Sequence, residues 1–339
     1  MSIRSAGGYV RAGKVANLDH LARATLSTVA DGPARGCRAL DLRVADGVDL
    51  RILPDRGFDI GDARFRGVPL SWISAIGETG PLNVLTGRSW LQTFGGGLIT
   101  TCGLRNVGSP SEGHGLHGLF SHLRASDVRW DRGIEEDDIV LTARATIDEI
   151  DAGGAHLRVD RTIRTRTGRG LVELTDVTSN LGAAPEPAPI LYHVNLGVPL
   201  FDEGATVDID SVDVLPRDDD AERGRHSWMS PGPPEDGGRE MVFEHRVRPD
   251  RSGWGRAAVV NSSARLELIL RWRATELPRF HQWLHLRRSM YVLGLEPANC
   301  SVLGRAADRA AGTLPVLEPG ALRTTELRLE PRRRVPDRA

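Results

Sequence analysis

Two histidines and a glutamate, each embedded in apolar sequence with β character, are the side chains of this chain best suited to acid–base chemistry. His117 lies in Gly113-His114-Gly115-Leu116-His117-Gly118, His193 in Tyr192-His193-Val194-Asn195-Leu196-Gly197, and Glu296 closes the run from Ser289 to Leu295. A carboxylate in such a run has its charged form disfavoured by desolvation, which raises its basicity as a general base requires. An imidazole whose only polar neighbours are Tyr192 and Asn195 needs a partner and is able to exchange a proton near neutral pH. Each group also has a plainer structural reading. His117 would be a turn histidine bonded to backbone, His193 a core histidine bonded to a carbonyl, and Glu296 a strand-end residue exposed beside Pro297.

Further candidates surround these three. His114 shares the turn of His117, but spacing of three residues favours a shared metal only on a helix, which these glycines disfavour, so no metal site is read here. In Phe280-His281-Gln282-Trp283-Leu284-His285-Leu286, alternation puts His281, Trp283 and His285 on one face, where Trp283 would either floor a sugar site or pack in the core. Asp55 and Arg56, in Pro54-Asp55-Arg56-Gly57-Phe58-Asp59, either face the same pocket or pair with each other. The glycines of Phe94-Gly95-Gly96-Gly97-Leu98 are contiguous and precede no helical pattern, so they are not a dinucleotide fingerprint but belong to a strand lining a pocket.

Strands must position these groups. Apolar and polar residues alternate in 139–147, 156–164, 171–177, 265–272 and 322–329, and no helical period of similar length competes. Asp46-Gly47, Gly153-Gly154 and Gly168-Arg169-Gly170 mark short hairpin turns. The expected fold is all-β, a large antiparallel β-sandwich (a supersandwich) formed by one domain over residues 1–330. Residues 217–238 read as an exposed insertion loop, and 331–339 as a disordered tail.

Composition removes several functions. The net charge is −1 over 339 residues with acids and bases interspersed, so there is no basic stripe for nucleic acid. No stretch of 18 apolar residues and no leader pattern is present, which leads us to expect a cytoplasmic protein without a membrane partner. Three widely spaced cysteines fit reduced buried thiols. An exposed sheet edge leaves a homodimer open.

In their order, the His-Gly turn, the Tyr192-to-Gly197 segment and Leu295-Glu296-Pro297 resemble the aldose 1-epimerase (galactose mutarotase-like) superfamily, and within it the aldose-epimerase-like bacterial branch. The resemblance covers roughly residues 50–329. It implies that Glu296 is the base, that His193 is the acid, and that His117 and Arg105, the arginine upstream of the His-Gly turn, hold a small-molecule sugar. It implies anomer interconversion without a cofactor. A keto-sugar isomerase or lyase would use the same pair, and a non-catalytic carbohydrate-binding module would use the same fold. The family's substrate-binding aspartate has no clean counterpart here, although Asp236, Glu240, Glu244 and His245 lie in about the right interval.

Overall fold

The computed structural model describes residues 5–334. Among these, eleven strands form one sheet and eight form a second. The segments that alternate in the sequence are found as strands Asp138–Ile150, His156–Arg166, Val172–Asn180, Leu266–Arg273 and Leu322–Arg333, all in the eight-stranded sheet and all paired antiparallel. Their alternation reflects one face on the core and the other in water. No helix of the described residues is long and apolar enough to cross a membrane.

Five neighbouring strands of the larger sheet carry the site: β1 (Ile99–Gly103), β2 (Ile190–Leu196), β3 (Met241–Val247), β4 (Arg279–Arg287) and β5 (Met290–Ala298). Their order across the sheet is β1-β2-β5-β4-β3. All seven residues of β2 are buried, because both faces of this sheet are covered. Ile190, Tyr192, Val194 and Leu196 point into the core between the sheets, whereas Leu191 belongs to a smaller cluster on the opposite face with Trp72, Trp90, Phe94, Val242 and Trp283. His193 shares the parity of Leu191, and so belongs to that opposite face.

A buried ion cluster pins β2 from below. Arg161, fully buried, donates to Asp59 at 2.6 Å and to Asp176 at 2.7 and 2.8 Å, and the Tyr192 hydroxyl donates to Asp176 at 2.7 Å. Asp59 and Tyr192 belong to one sheet, Arg161 and Asp176 to the other. The cluster therefore joins the two sheets directly beneath His193.

One sequence expectation needs correction and another needs refinement. The last strand runs to Arg333, with Pro331 opposite Leu268 and Arg333 opposite Leu266, so 331–333 pair within the sheet because strand Leu266–Arg273 offers them partners. The rest of the expected tail, 335–339, lies outside the described residues. The stretch 217–238 is mostly exposed, as expected, but it is anchored at several points and is not loop throughout. Asp218 caps a short helix at Asp219–Arg223, Ala221 is buried, and the Trp228 carbonyl accepts from Gln282 at 2.9 Å.

Candidate active site

The site-bearing face of the larger sheet opens into a cavity of about 520 Å³ whose lining includes His117, His193, Glu296, Trp283 and His285. The register between β2 and β5, with Val194 opposite Leu295 and Leu191 opposite Ala298, puts His193 across from Glu296. Their side chains meet: His193 Nε2 lies 3.0 Å from Glu296 Oε1. The contact lacks hydrogen-bond alignment, and Oε1 of Glu296 and Nδ1 of His193 are both buried without a partner. Unpaired buried polar atoms of this kind are costly, and they concentrate where a ligand completes the bonding.

Burial controls the charge of the pair. It pushes the Glu296 carboxyl up to about 8, with repulsion from Glu240 adding to the effect against Arg217. Burial, followed by the neighbouring His117, pushes His193 down to about 3. Burial thus disfavours the charged form of both groups, the carboxylate of Glu296 and the imidazolium of His193.

His117 reaches the cavity from a left-handed backbone position, φ 59°. Its Nδ1 accepts a 3.4 Å contact from the Gly108 N–H, which leaves the neutral ring's proton on Nε2. The ring centroid lies 4.6 Å from that of Trp90 and 6.2 Å from that of His193. Burial holds His117 at about 4. Phe94 and Trp283 flank His193 at 5.4 and 5.2 Å, and Trp72 meets Trp283 edge-on. Such rings can pack against the apolar face of a ligand, and the imidazoles and carboxyls can hydrogen-bond its polar edge.

Residues outside the sequence motifs complete the wall. Glu240 accepts from Trp283 Nε1 and from Arg217, both at 3.0 Å. Burial would raise its carboxyl, but Arg217 and the indole N–H outweigh this and keep it below the usual range. Glu240 fell in the interval expected for a hydroxyl-binding carboxylate, but no motif distinguishes it. Arg217 comes from the start of the stretch read as an exposed loop, and neither Trp72 nor Trp90 carries a local signal that separates it from a core tryptophan. His285 lines the cavity while its Nε2 donates to the Gly238 carbonyl at 3.3 Å.

Four expected sugar contacts lie elsewhere. Arg105 is outside the cavity lining and pairs with Asp151 at 2.9 Å, with Glu186 on a separate short strand 3.9 Å away. His114 accepts from Arg305 at 2.8 Å, which fixes the His-Gly turn to a following helix. Asp55 is paired with Arg38 at 2.7 Å and Arg124 at 3.2 Å. Arg56 spends its donors on Ser121, Thr79 and Thr93 backbone and hydroxyl oxygens. Asp55 and Arg56 therefore neither face the cavity nor pair with each other; each ties separate loops together. Among the described residues, no group of three or more His, Cys, Asp or Glu side chains is placed to hold a metal ion.

Among solved structures, a candidate aldose 1-epimerase from Klebsiella pneumoniae is 24% identical, with a TM-score of 0.85 over 91% of this chain and 82% of that one. A galactose mutarotase-like protein from Clostridium acetobutylicum is 12% identical, with a TM-score of 0.60 over 93% and 99%. A candidate aldose 1-epimerase from Escherichia coli K12 is 14% identical, with a TM-score of 0.51 over 92% and 100%. No curated protein matches the chain in sequence. Residues 34–330 match the family described as Domain of unknown function (DUF4432). The chain thus belongs to the DUF4432 family, and its sandwich is of the galactose mutarotase-like kind.

Proposed function

We propose that this protein interconverts the anomers of an aldose, with Glu296 and His193 as the proton-transferring pair. The observation that carries this reading is the 3.0 Å approach of His193 Nε2 to Glu296 Oε1 at the wall of an aromatic cavity. Opening a hemiacetal ring needs a proton delivered to the ring oxygen and another removed from the anomeric hydroxyl. A neutral acid beside a neutral base supplies both without placing net charge in a desolvated site.

Glu296, protonated at rest, gives its proton to the ring oxygen as the C1–O5 bond breaks, and His193 takes the proton of the anomeric hydroxyl. The product is the open aldehyde, a carboxylate and an imidazolium. After rotation about C1–C2, the carboxylate recovers the proton from the attacking hydroxyl while the imidazolium protonates the carbonyl oxygen, which restores the pair. This starting position of the proton is the reverse of the one the family resemblance implies, and burial of both groups supports it. His117 and Glu240 would hold hydroxyls, and Trp283 with Phe94 would support the ring face.

Turnover in D2O tests the reading. Anomers should exchange in the presence of the protein with no deuterium entering carbon. Deuterium at a carbon next to a carbonyl would instead indicate enolisation.

A further inference from the structure

The polar row that contains the pair does not stop at Glu296. On β4, His281 stands opposite Glu296, and on β3, Glu244 stands opposite His281. His193, Glu296, His281 and Glu244 therefore form one lateral line across four neighbouring strands, on the face that carries the cavity. Beyond Glu296 this line passes under a second cleft of about 170 Å³, and Arg217, Val242 and Val302 border both this cleft and the main cavity. By the same measure a single water needs roughly 10–15 Å³, so the cleft has room for a group of ring size.

Its polar groups are unassigned by the chemistry above. His281 is buried, donates from Nε2 to the Cys300 carbonyl at 3.1 Å, and has no partner for Nδ1. Arg279 contacts Glu244 at 3.4 Å, and Ser301 lies beside them. The charges balance: Arg217 is matched by Glu240 and Arg279 by Glu244. The cleft itself is lined by Arg217, Arg279 and one carboxylate, Glu244, and each guanidinium is already engaged by a carboxylate, Arg217 by Glu240 from the main-cavity side, so hydroxyls, which both donate and accept, find partners there without displacing an ion pair.

We infer that this cleft is a second subsite, and that the substrate is a reducing disaccharide whose reducing ring lies at Glu296 and His193 and whose neutral second ring lies over Glu244, His281 and Arg279. This rests on the sugar-site reading above and adds the class of sugar.

Binding measured by thermal shift tests it without requiring turnover. Maltose, cellobiose and lactose would be compared with glucose, galactose and glucose 6-phosphate on the full chain. At least one disaccharide should bind about tenfold or more tighter than its component monosaccharides, a difference of about 1.4 kcal/mol. Arg279→Ala, and separately Leu303→Trp at the exposed rim, should each remove that advantage and leave the monosaccharide affinity within about twofold. Monosaccharides binding as tightly as every disaccharide, or a preference for glucose 6-phosphate, would overturn the subsite while leaving the sugar site intact. Failure of every sugar to bind would overturn both.

Discussion

Gly294 and Glu296 share one volume: a Cβ built on Gly294 would lie 2.8 Å from Glu296 Oε1, 3.1 Å from His193 Cε1 and 3.1 Å from Trp283 Cβ. The backbone there does not require glycine, since its φ lies outside the left-handed region. The residue is small because the carboxyl of Glu296 passes over it on the way to His193.

Gly294→Ala should accordingly displace the carboxyl while the sheet stays intact. A shift of about 1 Å at a reacting group costs on the order of a hundredfold in kcat. We expect a loss of that size with a smaller change in KM and an unchanged circular dichroism spectrum. Full activity in a folded Gly294→Ala protein would mean that the position of the carboxyl does not matter.

The pH dependence follows from the neutral pair. Activity should be level between about 3 and about 8, falling below as His193 gains a proton and above as Glu296 loses one, as read in kcat/KM. Stability should respond in the same direction. Because the folded-state pKa of Glu296 lies above its ordinary value of 4.5, folding retains a proton the unfolded chain releases, so stability declines as pH rises from there towards about 8. His193, held below its ordinary 6.5 at about 3, removes stability as pH falls through that interval. Glu296→Gln should abolish the alkaline loss in urea titrations at pH 6 and pH 9, and an unchanged loss would assign it to other groups.

Asp176→Asn should be among the most damaging changes outside the cavity. Arg161 is fully buried, and weakening one of its two carboxylate partners leaves charge uncompensated where water does not reach. Breaking a buried pair of this kind costs about 3–5 kcal/mol. The urea midpoint should fall accordingly, and a cost below about 1 kcal/mol would show that the cluster does not hold the sheets together.

The outer sheet was legible in the sequence because its strands are wet on one face, and alternation in 156–164 or 322–329 records that directly. Strand Ile190–Leu196 does not alternate in polarity since both of its faces are covered, yet its polar exceptions, Tyr192, His193 and Asn195, are the residues with assigned bonds or contacts beneath and above the sheet. Arg105, His114, Asp55 and Arg56 misled because polar residues within apolar sequence serve loop anchoring as readily as ligand binding. Glu240 and Arg217 were not identified because the indole and carboxylate contacts that bring them to the cavity join positions far apart in the chain, 43 residues in the case of Trp283 and Glu240. No local spacing records such a meeting.

Saturation-transfer NMR on an equilibrated sugar gives the most direct test of the acid–base pair, since it reads the rate at which one anomer becomes the other in the presence of protein. The wild-type protein should transfer saturation between anomeric protons, and Glu296→Gln should reduce that rate by about 10²–10⁴ while line broadening still reports sugar binding. Near-normal transfer by a folded Glu296→Gln protein would contradict the assignment of Glu296 and, with it, the mechanism.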